Sequence, residues 1–172
     1  MDELVRETGL GKATVYRLYP SKDALLGAYL QQLKADILRL IDADIAAHPD
    51  DPAGAIAAIF GAVERDVARS SFRGCPFNNA SVEFADRRHP ARIAAREYRE
   101  ELQQRLRLLA ERARPDDPYL GDQLALLIDG IYTSGAHLGP RGPAASASKL
   151  VAQLTEPRAM PQERLEPPTR GL

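Results

Sequence analysis

Tryptophan is absent from this 172-residue chain, cysteine occurs once, and the formal net charge is only −1. The lone Cys75 cannot close an internal disulfide and offers no CxxC pair to a metal, which suits a reducing compartment. A near-neutral balance excludes a polycation, so any contact with nucleic acid must come from a local patch. No apolar run approaches the length of a membrane span. The acidic start Met1-Asp2-Glu3 has no signal-peptide pattern. These absences read as a cytoplasmic protein with no membrane partner. Alternating strand patterns of convincing length are missing as well, and no internal repeat is present. Zincin, nucleophile-elbow, phosphate-loop and dinucleotide signatures are all lacking. His48, His89 and His137 are scattered without metal-ligand spacing. The expectation is therefore no catalytic residues, no metal, no cofactor and no enzyme.

What is present is helical periodicity. Apolar residues run Leu26, Leu30, Leu33, Ile37, Leu40, Ile41 and Ile45, in steps of three and four, the stripe of one long helix. Pro49 ends it. Asp51-Pro52 reads as an N-cap followed by proline in the first turn, opening a helix with Ile56, Ile59, Phe60, Val63 and Val67 on one face. His89-Pro90 opens another, carrying Tyr98, Leu102, Leu106, Leu109 and Ala113, closed by Pro115. Asp117-Pro118 opens the next, through Leu120, Leu124, Leu127, Ile128, Ile131 and Tyr132. Gly142-Pro143 opens a shorter one ending near Leu154, and Arg73 to Asp86 reads as a turn and a short helix. The fold class is all-α. Beyond Glu156, Pro157, Pro161, Pro167 and Pro168 lie among charged residues, which reads as a disordered tail over 157–172.

The first residues carry the functional signal. Asp2 to Thr8 reads as a helix, Gly9-Leu10-Gly11 as a tight turn, and Lys12 to Tyr19 as a second helix. Ser21 is a good N-cap for a third, with Lys22 in its first turn. Helix, short glycine turn, helix is the arrangement that places a recognition helix in the major groove. On the second helix Val15 and Tyr19 face inward, whereas Ala13, Tyr16 and Arg17 share another face. Arg17 suits guanine edges, and Lys12 suits a base or a phosphate. The hydroxyls of Thr14 and Tyr16 suit phosphate oxygens, and Lys22 stands at a helix start that favours an anion.

The stretch from Glu3 to Leu26, with Gly-x-x-x-x-Thr-hydrophobe-Tyr followed by Ser-Lys-x-x-Leu, resembles the DNA-binding signature of the TetR repressor family. A second stretch, Gly74-Cys75-Pro76-Phe77 with Asn79, Glu83, Phe84 and His89-Pro90, resembles a segment common in one branch of that family. The likeness in helix order extends to about Leu154. It implies a ligand-responsive transcriptional regulator, a repressor released from a double-stranded DNA operator by a small molecule. The organisation would be a helix-turn-helix head over 1–28, a ligand-binding and dimerisation domain over 29–156, and the tail 157–172. The resemblance implies a homodimer paired through helices at about 118–138 and 143–155. There Gly130, Ser134, Gly135 and Ala136 would permit close approach; the alternative is a helix frayed near its end. By the same analogy Phe60, Phe77, Phe84, Tyr98 and Tyr132 are candidate pocket walls, with Asn79, Glu83 and Asp129 as polar anchors.

In the family the head has three helices, and the first precedes the residue numbered 1 here. The expectation is an upstream start that would cover Leu4, Val5, Val15 and Tyr19. The alternative is a dimeric helical ligand-binding module that has lost DNA binding by truncation. Cys75, close to Arg73 and a helix start, is either a thiol of lowered pKa able to sense oxidants or a small buried hydrophobe.

Overall fold

The computed structural model describes residues 12–156. The first head helix and glycine turn read over 1–11, and the tail read over 157–172, lie outside the described residues. The elements in order are α1 (Lys12–Leu18), α2 (Lys22–Ala46), α3 (Pro52–Val67), α4 (Pro76–Glu83), α5 (Pro90–Ala113) and α6 (Leu120–Leu138). A 3₁₀ turn (Pro143–Ser146) then leads into α7 (Ala147–Thr155). No strand occurs among the described residues.

Local chemistry sets most of these boundaries. The Ser21 hydroxyl accepts from Ala24 N at 3.0 Å, and Asp51 Oδ1 accepts from Gly54 N at 2.8 Å, so each caps the helix that follows. Helices α3, α4 and α5 begin with Pro52, Pro76 and Pro90, where a missing N–H costs nothing. One boundary shifts. Asp117-Pro118 does not start α6; Asp117 Oδ1 instead accepts from Tyr119 N at 3.1 Å, closing a turn, and the helix begins at Leu120.

The centre of the fold is α5, which packs against α2, α3, α4 and α6. Its buried line Ala94, Tyr98, Leu102, Leu106 and Leu109 repeats every three or four residues, as an inward helix face must. Phe60 and Phe77 are fully enclosed beside it. Burying each such side chain contributes roughly 1.5–3 kcal/mol before entropy is charged against it.

The stripe on α2 divides into two neighbouring faces. Gly27, Leu30, Leu38 and Ile41 are buried, and Leu40 is 68 % exposed, contrary to its place in the expected stripe. Along the face toward α5, Gln31 Nε2 donates to Glu97 Oε2 at 2.7 Å. Lys34 Nζ reaches Glu97 and Glu101 at 3.1 and 3.0 Å, and Arg105 holds Asp42 with both prongs at 2.6 and 2.9 Å. The hydrogen bond from Arg105 holds the Asp42 carboxyl below the usual carboxylate range. Those from Gln31 and Lys34 do the same for Glu97. At the far end Arg114 is 3 % exposed, yet its guanidinium grips Asp116 and donates to the carbonyls of Leu154 and Glu156. Those partners satisfy a buried charge and close the C-terminus of α7.

α2 packs tightly on the start of α5 at Gly27, where an added Cβ would stand 2.5 Å from Pro90 Cβ and 3.3 Å from its carbonyl carbon. Backbone cannot yield there as a flexible side chain would. Gly27→Ala is expected to cost about 1–3 kcal/mol of stability through overpacking, measured by urea unfolding. An unchanged midpoint would show that α2 and α5 separate freely at this point.

Candidate functional site

The first site is a surface. α1 is a seven-residue helix whose inward anchor, Val15, is 2 % exposed. Ala13, Tyr16 and Arg17 stand outward, with Tyr16 42 % exposed. Thr14 and Tyr19 are half-buried. Lys12 opens α1, and Lys22 lies exposed in the first turn of α2, after the Ser21 cap. Ala13, Tyr16 and Arg17 thus share an exposed face of α1, and the sequence from Lys12 to Lys22 contains three bases and no acid. Among the described residues neither Arg17 nor Lys22 has an ion-pair partner. Such a segment is locally positive on a chain whose formal net charge is −1.

The second site is a cavity of about 830 Å³ walled by α2, α3, the Ser71–Cys75 connection, α4, α5 and α6. Leu33, Ile37, Leu40 and Ile41 come from α2, Ile59 and Val63 from α3, Leu102 from α5 and Ile128 from α6. Its size and mainly apolar walls are those of a small-molecule site. Two aromatic pairs border it. Phe77 stacks on Tyr98 with centroids 3.9 Å apart, and Phe72 stacks on Tyr132 at 5.8 Å. The turn into α4 requires Gly74, whose φ of +87° lies in the left-handed region that side-chain-bearing residues avoid.

Four of the eight residues expected at a ligand site, Phe77, Asn79, Tyr98 and Tyr132, line this cavity. The other four do not. Phe60 sits in the solid core with no exposed surface. Asp129 accepts from Asn78 Nδ2 at 3.1 Å and pairs with Arg99, whose Nη2 also donates to Asn78 Oδ1 at 2.8 Å, so it ties α4, α5 and α6 together outside the cavity. Glu83 ends α4 facing solvent. Phe84 stacks on His89 at 3.7 Å. Family analogy placed all four near the pocket, but the directions in which their side chains leave the backbone turn them away from it. The walls missed by sequence, among them Ile59, Val63, Asp66 and Phe72, carry no distinguishing mark, because a cavity wall and a core residue obey the same periodicity.

Cys75 lines the cavity but is 4 % exposed, and burial pushes its thiol up from the ordinary value. Of the two readings of Cys75, the small buried hydrophobe is the one its environment supports, because desolvation disfavours the thiolate. His89 does cap α5, its Nδ1 accepting from Ala91 N at 3.2 Å, while its Nε2 faces Asp23 Oδ1 at 3.5 Å. Arg92 Nη1 donates to the carbonyls of Ser81 and Phe84 at 2.8 Å each. The end of α4, the start of α5 and the first turns of α2 therefore meet in one place. Of the small residues expected at a dimer interface, Gly135 faces inward instead. A Cβ there would meet Val67 Cγ1 at 2.4 Å, whereas Gly130 opens onto free space. Among the described residues no group of His, Cys, Asp and Glu is placed to hold a metal ion, and no helix is long and apolar enough to cross a membrane.

A short exposed helix at the head of a long helix, whose middle walls a partly open, mainly apolar cavity, defines an all-helical protein with an exposed head and a hollow body. Residues 52–138 match the family described as "Tetracyclin repressor-like, C-terminal domain". Among solved structures, a TetR-family transcriptional regulator from Streptomyces coelicolor aligns with a TM-score of 0.77 at 26 % identity, over 90 % of this chain and 79 % of that one. A putative TetR-type transcriptional regulator from Streptomyces avermitilis aligns with a TM-score of 0.70 at 27 % identity, over 90 % and 86 %. No curated protein matches the chain. The chain belongs to the TetR family of DNA-binding transcriptional regulators.

Proposed function

We propose that this protein is a cytoplasmic repressor that binds its operator as a homodimer and is released by a small molecule held in the cavity. The observation that carries this reading is the continuity of α2. It is one 25-residue helix, beginning beside Arg17 and supplying Leu33, Ile37, Leu40 and Ile41 to the cavity wall. A helix rises 1.5 Å per residue, so Lys22 and Ile41 are about 28 Å apart along a stiff rod. A ligand that displaces the cavity segment of α2 must then move the head, with the Gly27–Pro90 contact as the natural fulcrum. The rod obeys population-shift logic: the ligand favours the arrangement it fits, and that arrangement has the wrong head spacing for DNA.

In this reading residues 1–28 form the head and 29–156 the body, although α2 runs through the boundary without a break. DNA contacts fall to Lys12, Ala13, Thr14, Tyr16, Arg17 and Lys22. Ligand contacts fall to Phe77, Asn79, Tyr98 and Tyr132. The second subunit covers the outer face of α6 and α7. There Tyr119, Gln123, Leu126, Gly130 and Thr133 follow one another in steps of three and four without a charge. Leu126 and Tyr119 are 72 % and 69 % exposed, and Leu150 of α7 is 42 % exposed. A contiguous uncharged patch of this kind marks an interface more often than bare surface. The test is fluorescence anisotropy of duplexes from the regulator's own promoter region. A saturable complex tighter than with random DNA, formed by a dimer in sedimentation, is expected; equal affinity for both duplexes would overturn the reading.

A further inference from the structure

We propose that the cavity selects a flat, uncharged aromatic molecule carrying a hydroxyl or carbonyl group, which exchanges a hydrogen bond with the Tyr98 hydroxyl. This rests on reading the cavity as the effector site and goes on to name the chemistry of the effector.

Three observations converge. First, the buried part of the wall is hydrocarbon and ring: Ile41, Ile59, Val63, Leu102 and Ile128 beside the Phe77–Tyr98 stack. Parallel ring pairs complement a planar guest. Second, Tyr98 is 4 % exposed, and among the described residues its hydroxyl has no hydrogen-bond partner. A buried hydroxyl without a partner leaves hydrogen-bonding capacity for whatever enters. Burial also holds Tyr98 in its neutral form, by raising its pKa well above the ordinary phenol value.

Third, the ionised side chains of the lining lie at its rim: Arg65, Arg69 and Arg73 are exposed, and Asp36, Asp44 and Asp66 are half-buried. Asp36, Asp66 and Arg69 have side chains 47 %, 40 % and 70 % exposed, with Arg39 on Asp36 at 3.0 Å and Arg69 on Asp66 at 3.6 Å. A charged guest reaching Tyr98 would leave those rim charges behind and shed its water among apolar side chains, whereas a neutral one loses little.

The experiment titrates the full chain with 1-naphthol, naphthalene and 1-naphthoate, following probe fluorescence; the chain contains no tryptophan to obscure it. Expected is about fivefold tighter binding of 1-naphthol than of naphthalene, the worth of one net hydrogen bond. Tyr98→Phe should remove that advantage and leave naphthalene unchanged. 1-Naphthoate should bind at least tenfold more weakly than 1-naphthol. The proposal is overturned if naphthoate binds as well as naphthol, if wild type does not distinguish naphthol from naphthalene, or if no probe binds saturably. The wild-type ranking decides the matter even if Tyr98→Phe fails to fold. A parallel titration of the protein–DNA complex separates the two readings. Probes that rank as expected yet leave the complex intact would keep this inference and remove the effector role of the cavity.

Discussion

Phe60→Ala is expected to lower the free energy of unfolding by about 3–5 kcal/mol, the range for a fully buried aromatic cut to a methyl group. Phe60 has no exposed surface and lies on the same face of α3 as Ile56, Ile59, Val63 and Val67. Its removal therefore leaves a void enclosed by packed neighbours, which collapse only in part. A domain of this size is stable by roughly 5–15 kcal/mol, so about a fifth or more of the total is at stake in one side chain. Phe60 is absent from the cavity wall. At a temperature where the variant remains folded, its affinity for the aromatic probes should stay within about twofold of wild type. Denaturant unfolding followed by circular dichroism measures the first effect, and probe titration the second. A loss under 1 kcal/mol combined with a large loss of probe affinity would place Phe60 in the ligand site after all.

Replacing Arg17 should act in the opposite sense, leaving stability unchanged and striking at DNA. Arg17 is exposed on α1 beside Ala13 and Tyr16, and a planar guanidinium can take both acceptors of a guanine edge. Arg17→Ala should weaken operator binding by about 1–3 kcal/mol, which is about 5- to 150-fold. Binding to random duplex should change much less. Lys22 serves as the internal control, since it lies at the start of α2 outside α1. Lys22→Ala should weaken every duplex alike and reduce the salt slope by about one unit, as loss of one phosphate contact does. Anisotropy titrations at several salt concentrations separate the two behaviours. Equal losses on operator and random DNA for Arg17→Ala would remove its base-reading role and reduce it to another phosphate anchor.

Much of the helical order is legible in the residues themselves. Ser21, Asp51 and His89 announce their helices because capping is a local contact, complete within three residues of the cap. The stripes of α3 and α5 are legible because one face of each meets a packed interior along its whole length, so the period of apolar residues is the period of burial. The outward face of α1 follows from the same arithmetic: Val15 inside puts Arg17 outside.

Tertiary structure decided the rest. On α2, Leu38 packs inward and Leu40 stands in solvent at the cavity edge, because that helix serves two neighbours with two adjacent faces, and one apolar period cannot encode both. Cys75 and Asp129 were ambiguous for a related reason. The environment that lifts a thiol's pKa comes from residues distant in sequence, and so does the Asn78–Arg99 pair that occupies a carboxylate. Above all, a cavity is space left unfilled when α2, α3, α5 and α6 meet. Its walls obey the same hydrophobic rule as a solid core. A sequence therefore names its apolar residues, and only their assembly determines which of them face a void.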